Sequence, residues 1–249
     1  MIFKLAFAPR KRVAWAIDCG FRLQFEIHLA LALNKKMATY PKNQLVPSIA
    51  SESVAELMVS LADTAVDAAI SSGALDGIPV VGLATGAMRA ARDVRQAFLV
   101  RKLVRFLSET ASLTDQERLD FKSKFHDEEQ AEEFGGLVVV LLDRADDLSK
   151  PIVLGRLLVA YAKGAFSQDD FFRLARMVER SFTDDLYLLR GFSSGNMPRK
   201  EIQAQNLSSI GFLYQAGFDG GDLGDPDSGG ILYQISQYGE WVVRYGLEG

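Results

Sequence analysis

The chain holds one cysteine, Cys19, and two histidines, His28 and His126, in 249 residues. A single thiol excludes a disulfide framework and any zinc site built on paired cysteines. Cys19 has no charged neighbour arranged to hold a thiolate. Two isolated histidines leave little for imidazole acid–base chemistry or histidine metal ligation. Glycine numbers 21 and proline 7, and charged residues make up 24%, so neither a disordered nor a fibrous composition fits. A long uninterrupted apolar run is also missing. Val13 to Leu33 comes nearest, but Asp18, Arg22, Glu26 and His28 interrupt it. Each central charge costs about 2.5–3.5 kcal/mol on insertion scales. The spacing of Asp18, Arg22 and Glu26 pairs them on one face of a soluble helix instead. No Walker loop, dinucleotide-binding glycine pattern, H-E-x-x-H or kinase set occurs. These absences remove many chemistries and select none.

What is present is a chain that is 48% hydrophobic, enough for one sizeable domain or a domain with a small appendage. The net charge of −4 conceals a local polarity. Residues 1–36 carry Lys4, Arg10, Lys11, Arg12, Arg22, Lys35 and Lys36 against Asp18 and Glu26, so they are basic and the remainder is acidic. The basic cluster follows the apolar start instead of preceding an apolar core, which argues against a secretory signal. Met37-Ala-Thr-Tyr-Pro-Lys-Asn reads as a chain start. Residues 1–52 are therefore expected to form an N-terminal extension, with 1–36 upstream of a natural start at Met37.

From residue 53 the helix punctuation is legible. Ser53-Val-Ala-Glu56 reads as a capping box opening a helix that stops at Gly73, with Val54, Leu57, Met58, Leu61 and Ala65 at helical period. Thr114-Asp-Gln-Glu117 and Ser167-Gln-Asp-Asp170 open two more. Pro151 suits a first turn, and Gly164 ends that helix. Arg89 to Ala111 and Glu128 to Leu148 also read as helices, the apolar run Leu137 to Leu142 being a buried helix segment rather than a strand. Residues 53–190 are thus expected to be a helical body of about six helices in an orthogonal or bundle-like array.

The tail reads differently. A polar linker, Gly191 to Pro198, leads to a helix at Glu201 to Ser209, then Gly211-Phe-Leu-Tyr214 and a Gly/Asp-rich loop from Gly217 to Gly230. Ile231 to Ile235 reads as a strand, and Ser236 as the cap of a last helix carrying Trp241, Val242 and Tyr245. The fold class is mainly α with a small α/β tail over 198–249.

Candidate contact residues cluster in one place. Gly77 to Met88 is twelve residues without a charge, holding Gly82 and Gly86 as a G-x-x-x-G pair that permits close helix approach. The helix after it has an apolar stripe of Leu99, Val100, Leu103, Val104 and Leu107, with Arg95, Arg101, Lys102 and Arg105 opposite and Phe98 among them. Two readings stay open. One is a membrane-surface or partner-docking device spanning 77–107. The other is a buried helix start followed by a solvated basic face, since twelve residues fall short of the roughly 20 that span a bilayer.

The acidic loop Asp219, Asp222, Asp225 and Asp227 invites a calcium reading, but its spacing lacks the D-x-D-x-D-G pattern and closing Glu, so no metal is expected. It also carries the wrong sign for a wing on DNA, with no Lys or Arg between Lys200 and Arg244, so nucleic acid is not an expected partner.

Two resemblances add to this. Helix, strand, loop, strand, helix over the last 50 or so residues, closing on Ser236-Gln-Tyr-Gly-Glu-Trp241, resembles the wing-to-helix passage of winged-helix units. Ala162-Lys-Gly-Ala-Phe-Ser-Gln-Asp-Asp-Phe171 resembles the helix junction of tellurite-resistance TerB-like bacterial modules. Lys163 stands where that family has an acidic residue, so the metal ligation proposed for the family lacks that residue here.

The resulting expectation is a cytoplasmic bacterial protein without enzymatic activity or cofactor, acting in interaction or regulation through an unidentified protein partner or as a homo-oligomer. The alternative is a membrane-active stress or phage-defence effector that uses the apolar segment 77–88 and the basic helix 89–107 in peripheral membrane contact.

Overall fold

Thr114 opens its helix as its spacing predicts. Its hydroxyl accepts from the Glu117 N–H, and the Glu117 carboxylate accepts the Thr114 N–H at 2.8 Å, a complete capping box. Ser167 and Ser236 cap their helices through the hydroxyl alone, accepting from Asp170 and Gly239 N–H. The computed structural model describes residues 44–61, 66–91, 94–195, 201–221 and 229–248. Residues 1–36, Cys19, Met37, Arg92, Lys200 and the loop carboxylates Asp222, Asp225 and Asp227 lie outside them.

The described residues contain 12 α-helices. They are α1 (Leu45–Ala50), α2 (Glu52–Ser60), α3 (Val66–Ser72), α4 (Pro79–Ala91), α5 (Val94–Thr110), α6 (Asp115–Ser123), α7 (Glu128–Arg144), α8 (Lys150–Ala162), α9 (Gln168–Arg180), α10 (Thr183–Ser193), α11 (Glu201–Ile210) and α12 (Gln237–Trp241). Strands β1 (Leu213–Asp219) and β2 (Gly230–Ile235) stand between α11 and α12, and a π-helical turn, Val242–Leu247, follows.

The expectation of about six helices undercounts the body. The helix read from Ser53 to Gly73 is two, α2 and α3. Gly77 to Met88 is not a prelude to α5 but mostly helix α4, opened by Pro79 at its first position. Helix α10 carries no side-chain cap, so its start gives no sequence signal. It also runs to Ser193, into the stretch read as linker. The first cap is corrected as well: Ser51, not Ser53, accepts from the Val54 N–H, at 3.4 Å.

Helix α8 lies at the centre. A Cβ at Gly155 would stand 2.7 Å from the Phe106 carbonyl oxygen, so glycine sets how closely α5 crosses α8. Phe121, Phe134, Tyr161 and Phe171 join helices α6, α7, α8 and α9 in one aromatic cluster, with Phe134 and Tyr161 stacked at 5.8 Å. Side chains such as Phe106, Leu103 and Leu157 are fully buried, each stabilising the fold by about 1.5–3 kcal/mol. Leu137 to Leu142 is helical, as its flanks predict.

The tail is joined to this body. Phe166 packs on Trp241 at 5.4 Å and on Tyr245 at 5.9 Å. Gly246 lies against Val153 of α8, and the Arg190 guanidinium donates to the Leu247 carbonyl. Residues 43–249 form one compact unit. Among the described residues no helix is long and apolar enough to cross a membrane.

Candidate functional site

Helices α4 and α5 hold the residues singled out in the sequence, and most are bound into the fold. Ile78, Val80, Val81 and Ala84 are buried. The Ser48 hydroxyl of α1 accepts the Val80 N–H at 3.3 Å, anchoring the start of α4. The two glycines of the G-x-x-x-G pair differ. A Cβ at Gly82 would stand 2.4 Å from the Asp76 carbonyl oxygen, whereas one at Gly86 would meet nothing within 4 Å. Gly82 thus accommodates the turn before its own helix, and Gly86 is exposed. Among the described residues, the three atoms nearest a Cβ at Gly82 all belong to Asp76, and none lies within 4 Å of one at Gly86.

The expected basic face of α5 is also corrected. Lys102 is only 3% exposed, because α7 ends against it: its ammonium donates to the Asp143 carbonyl oxygen at 2.9 Å and lies 4.6 Å from the Phe98 ring centroid. Burial lowers its pKa and the neighbouring Arg95 adds to that, while Asp143, Asp146 and Asp147 oppose it. Arg95 is exposed and pairs with the buried Asp143 carboxylate at 2.6 Å. Arg101 pairs with Asp67 at 2.8 Å. Arg105 is half-buried. Phe98 is half-buried beneath Lys102.

The acidic residues after α7 serve the same junction. Asp147 accepts from the Ser149 and Lys150 N–H groups at 2.8 and 2.9 Å and from the Thr183 hydroxyl, joining the starts of α8 and α10. Burial pushes its carboxyl up, but these hydrogen bonds outweigh it and the net shift is downward. Lys150 is fully buried; it pairs with Asp146 at 2.7 Å and donates to the Glu179 carbonyl at the end of α9, at 3.0 Å. This network is structural in its contacts. Among the described residues no cluster of three or more His, Cys, Asp or Glu side chains is arranged to hold a metal ion.

The stretch that carries the TerB-like resemblance is a helix end and a helix start. Gly164 adopts φ of 81°, and Ser167 caps α9. Lys163 pairs with Glu117 at 3.7 Å. Between α7 and α9 lies a groove of about 710 Å³ with Phe134, Leu137 and Phe172 in its lining and Glu133, Asp169 and Arg173 among its charged residues. Both charge signs line it, so it favours no one ligand class.

The surface that the sequence left unmarked is the hairpin. Phe218 is 75% exposed, and Ile231, its partner directly across the antiparallel pair, is 46% exposed. Leu213 and Tyr233, on the same side of the pleat nearer the hairpin base, are buried. One face thus runs from core to solvent, apolar apart from the exposed Gln215 opposite Tyr233. Tyr214 and Leu232 are exposed as well. The register shifts between Gln215 and Gly217, leaving Ala216 as a bulge on β1. Sequence reading found β2 from Ile231 to Ile235 but not the length of β1. The available signal was three consecutive large apolar residues, Ile231-Leu-Tyr233, which no single buried face absorbs.

No family model, curated protein or solved structure matches the chain. The functional reading therefore rests on the residues and their geometry.

Proposed function

We propose that this is a non-enzymatic interaction or regulatory protein that acts through protein–protein contacts, with the Phe218–Ile231 face of the hairpin as its docking surface. The observation that carries this reading is the continuation of a core face into solvent. Leaving a large apolar side chain exposed forgoes about 1.5–3 kcal/mol that burial would supply, and a partner recovers it. A two-stranded hairpin also gains little stability from its own tip, so the tip's apolar residues serve contact better than folding.

The order α11, β1, β2, α12 fits a winged-helix-like unit in which this hairpin is the wing. Asp219 at its tip and the lack of any Lys or Arg between Lys200 and Arg244 turn such a wing toward protein rather than nucleic acid. The membrane-effector reading of residues 77–107 draws no comparable support, because the apolar side chains Ile78, Val80 and Val81 are already buried against the fold.

The test is photocrosslinking in cells of the source organism, with p-benzoylphenylalanine at position 218 and, as a control, at Val59, which is 76% exposed on α2. A discrete adduct with another polypeptide from position 218 alone is expected. No adduct, or the same adducts from both positions, contradicts the proposal.

A further inference from the structure

The chemistry of the partner follows from the hairpin's edges and charge, and rests on the docking reading above. We infer that the hairpin takes a basic, extended polypeptide segment as an added strand along the outer edge of β2. Within the described residues the sheet has two strands, so each outer edge presents backbone donors and acceptors to no third strand. The two edges are unequal. β1 carries the Ala216 bulge, a device that disrupts edge pairing, while β2 carries no extra residue over Gly230–Ile235. Strand addition on β2 supplies main-chain hydrogen bonds for affinity, and alternate side chains of the incoming segment extend the Phe218–Ile231 face.

Charge decides what that segment is. Strands β1 and β2 carry one charged side chain, Asp219, and no Lys or Arg stands between Lys200 and Arg244. Asp219 is exposed and pairs with Gly230, next to Phe218 and Ile231. A second copy of this chain brings the same acidic hairpin, and like charges brought together oppose self-pairing. An anionic membrane surface is repelled for the same reason. A segment with lysine or arginine at one alternation and apolar residues at the other satisfies both the edge and the charge.

The experiment is fluorescence anisotropy of the full chain with a labelled nonapeptide of alternating lysine and valine. A peptide of the same composition in two blocks, and one of alternating glutamate and valine, are the controls. Saturable binding of the alternating basic peptide is expected. It should weaken at least about tenfold when NaCl rises from roughly 50 to roughly 500 mM, and at least about tenfold in Phe218→Ser. Hydrogen exchange at residues 230–235 should slow in its presence. Because both side chains are exposed, Phe218→Ser and Ile231→Ser are expected to fold, and the second checks the first. Equal binding of either control peptide overturns the inference, as does unchanged binding by both variants. Concentration-dependent dimerisation that Phe218→Ser abolishes assigns the face to a second copy. Vesicle flotation abolished by the same variant assigns it to lipid. Either outcome also overturns the inference. A position-218 crosslink without peptide binding leaves docking standing and removes only the basic strand; loss of the crosslink removes docking itself.

Discussion

The Tyr238 hydroxyl donates a hydrogen bond of 3.1 Å to Asp170, 68 residues earlier in the chain, tying the helix after the hairpin to the first turn of α9. Asp170 is also held by the Ser167 hydroxyl at 2.6 Å. The Ser167 hydrogen bond does most to lower its pKa, with Tyr238 contributing, while burial opposes them. A carboxylate with a lowered folded value stabilises the fold fully above the ordinary value of 3.8 and loses that contribution as pH falls through the lowered one. Tyr238→Phe is therefore expected to cost about 1 kcal/mol at neutral pH and less at about pH 2.5. Urea denaturation of both proteins at the two pH values checks this.

Gly82 and Gly86 are predicted to respond to alanine in opposite directions. At Gly82 the new Cβ meets the Asp76 backbone, and the cost is about 1–3 kcal/mol. At Gly86 the Cβ meets nothing, and improved helix propensity stabilises by about 0.5–1 kcal/mol. A helix-docking G-x-x-x-G would lose stability at both. Thermal melts of the two variants decide between these outcomes.

Lys102 gives a prediction on the alkaline side. Its folded pKa is lowered, chiefly by burial, so the unfolded chain holds the proton more tightly. Stability contributed by this site should rise as pH climbs from the lowered folded value toward the ordinary 10.5. Lys102→Met removes that rise. If the ammonium is in fact exposed, the difference between the two proteins' denaturant midpoints should stay constant across the alkaline range.

How much of this was legible depended on where the information lies. Caps are local, so Thr114, Ser167 and Ser236 declared their helices by spacing alone. The cap that spacing places at Ser53 belongs to Ser51, and their hydroxyls lie 2.9 Å apart. Which of them caps the helix is set by backbone geometry that spacing does not carry. Lys102 looked like a surface cation because the helical wheel knows its own helix only. The end of α7, 41 residues away, is what buries it. The hairpin's exposure was likewise invisible: alternation locates a strand, but what covers each face depends on elements elsewhere. Gly82 was found for the right chemical property, a missing Cβ, and assigned the wrong neighbour.

Lys150 tests the junction that positions the helices around α8. Its ammonium holds the Asp146 carboxylate and the Glu179 carbonyl from a fully buried position. Lys150→Ala leaves that carbonyl without its donor and opens a cavity, at a cost of about 2–4 kcal/mol. Asp146→Ala, at an exposed carboxylate, should cost about 1 kcal/mol or less. Equal losses for the two variants, measured by chemical denaturation, would contradict this assignment.

The most direct measurement for the central claim is quantitative affinity capture from cells of the source organism, comparing the full chain with a Phe218→Ser/Ile231→Ser variant. The account predicts a polypeptide recovered by the first and lost by the second, with the two denaturation midpoints unchanged within about 0.5 kcal/mol. Identical captured proteins from both would contradict it, and so would a variant that loses its partner only because it has lost its fold.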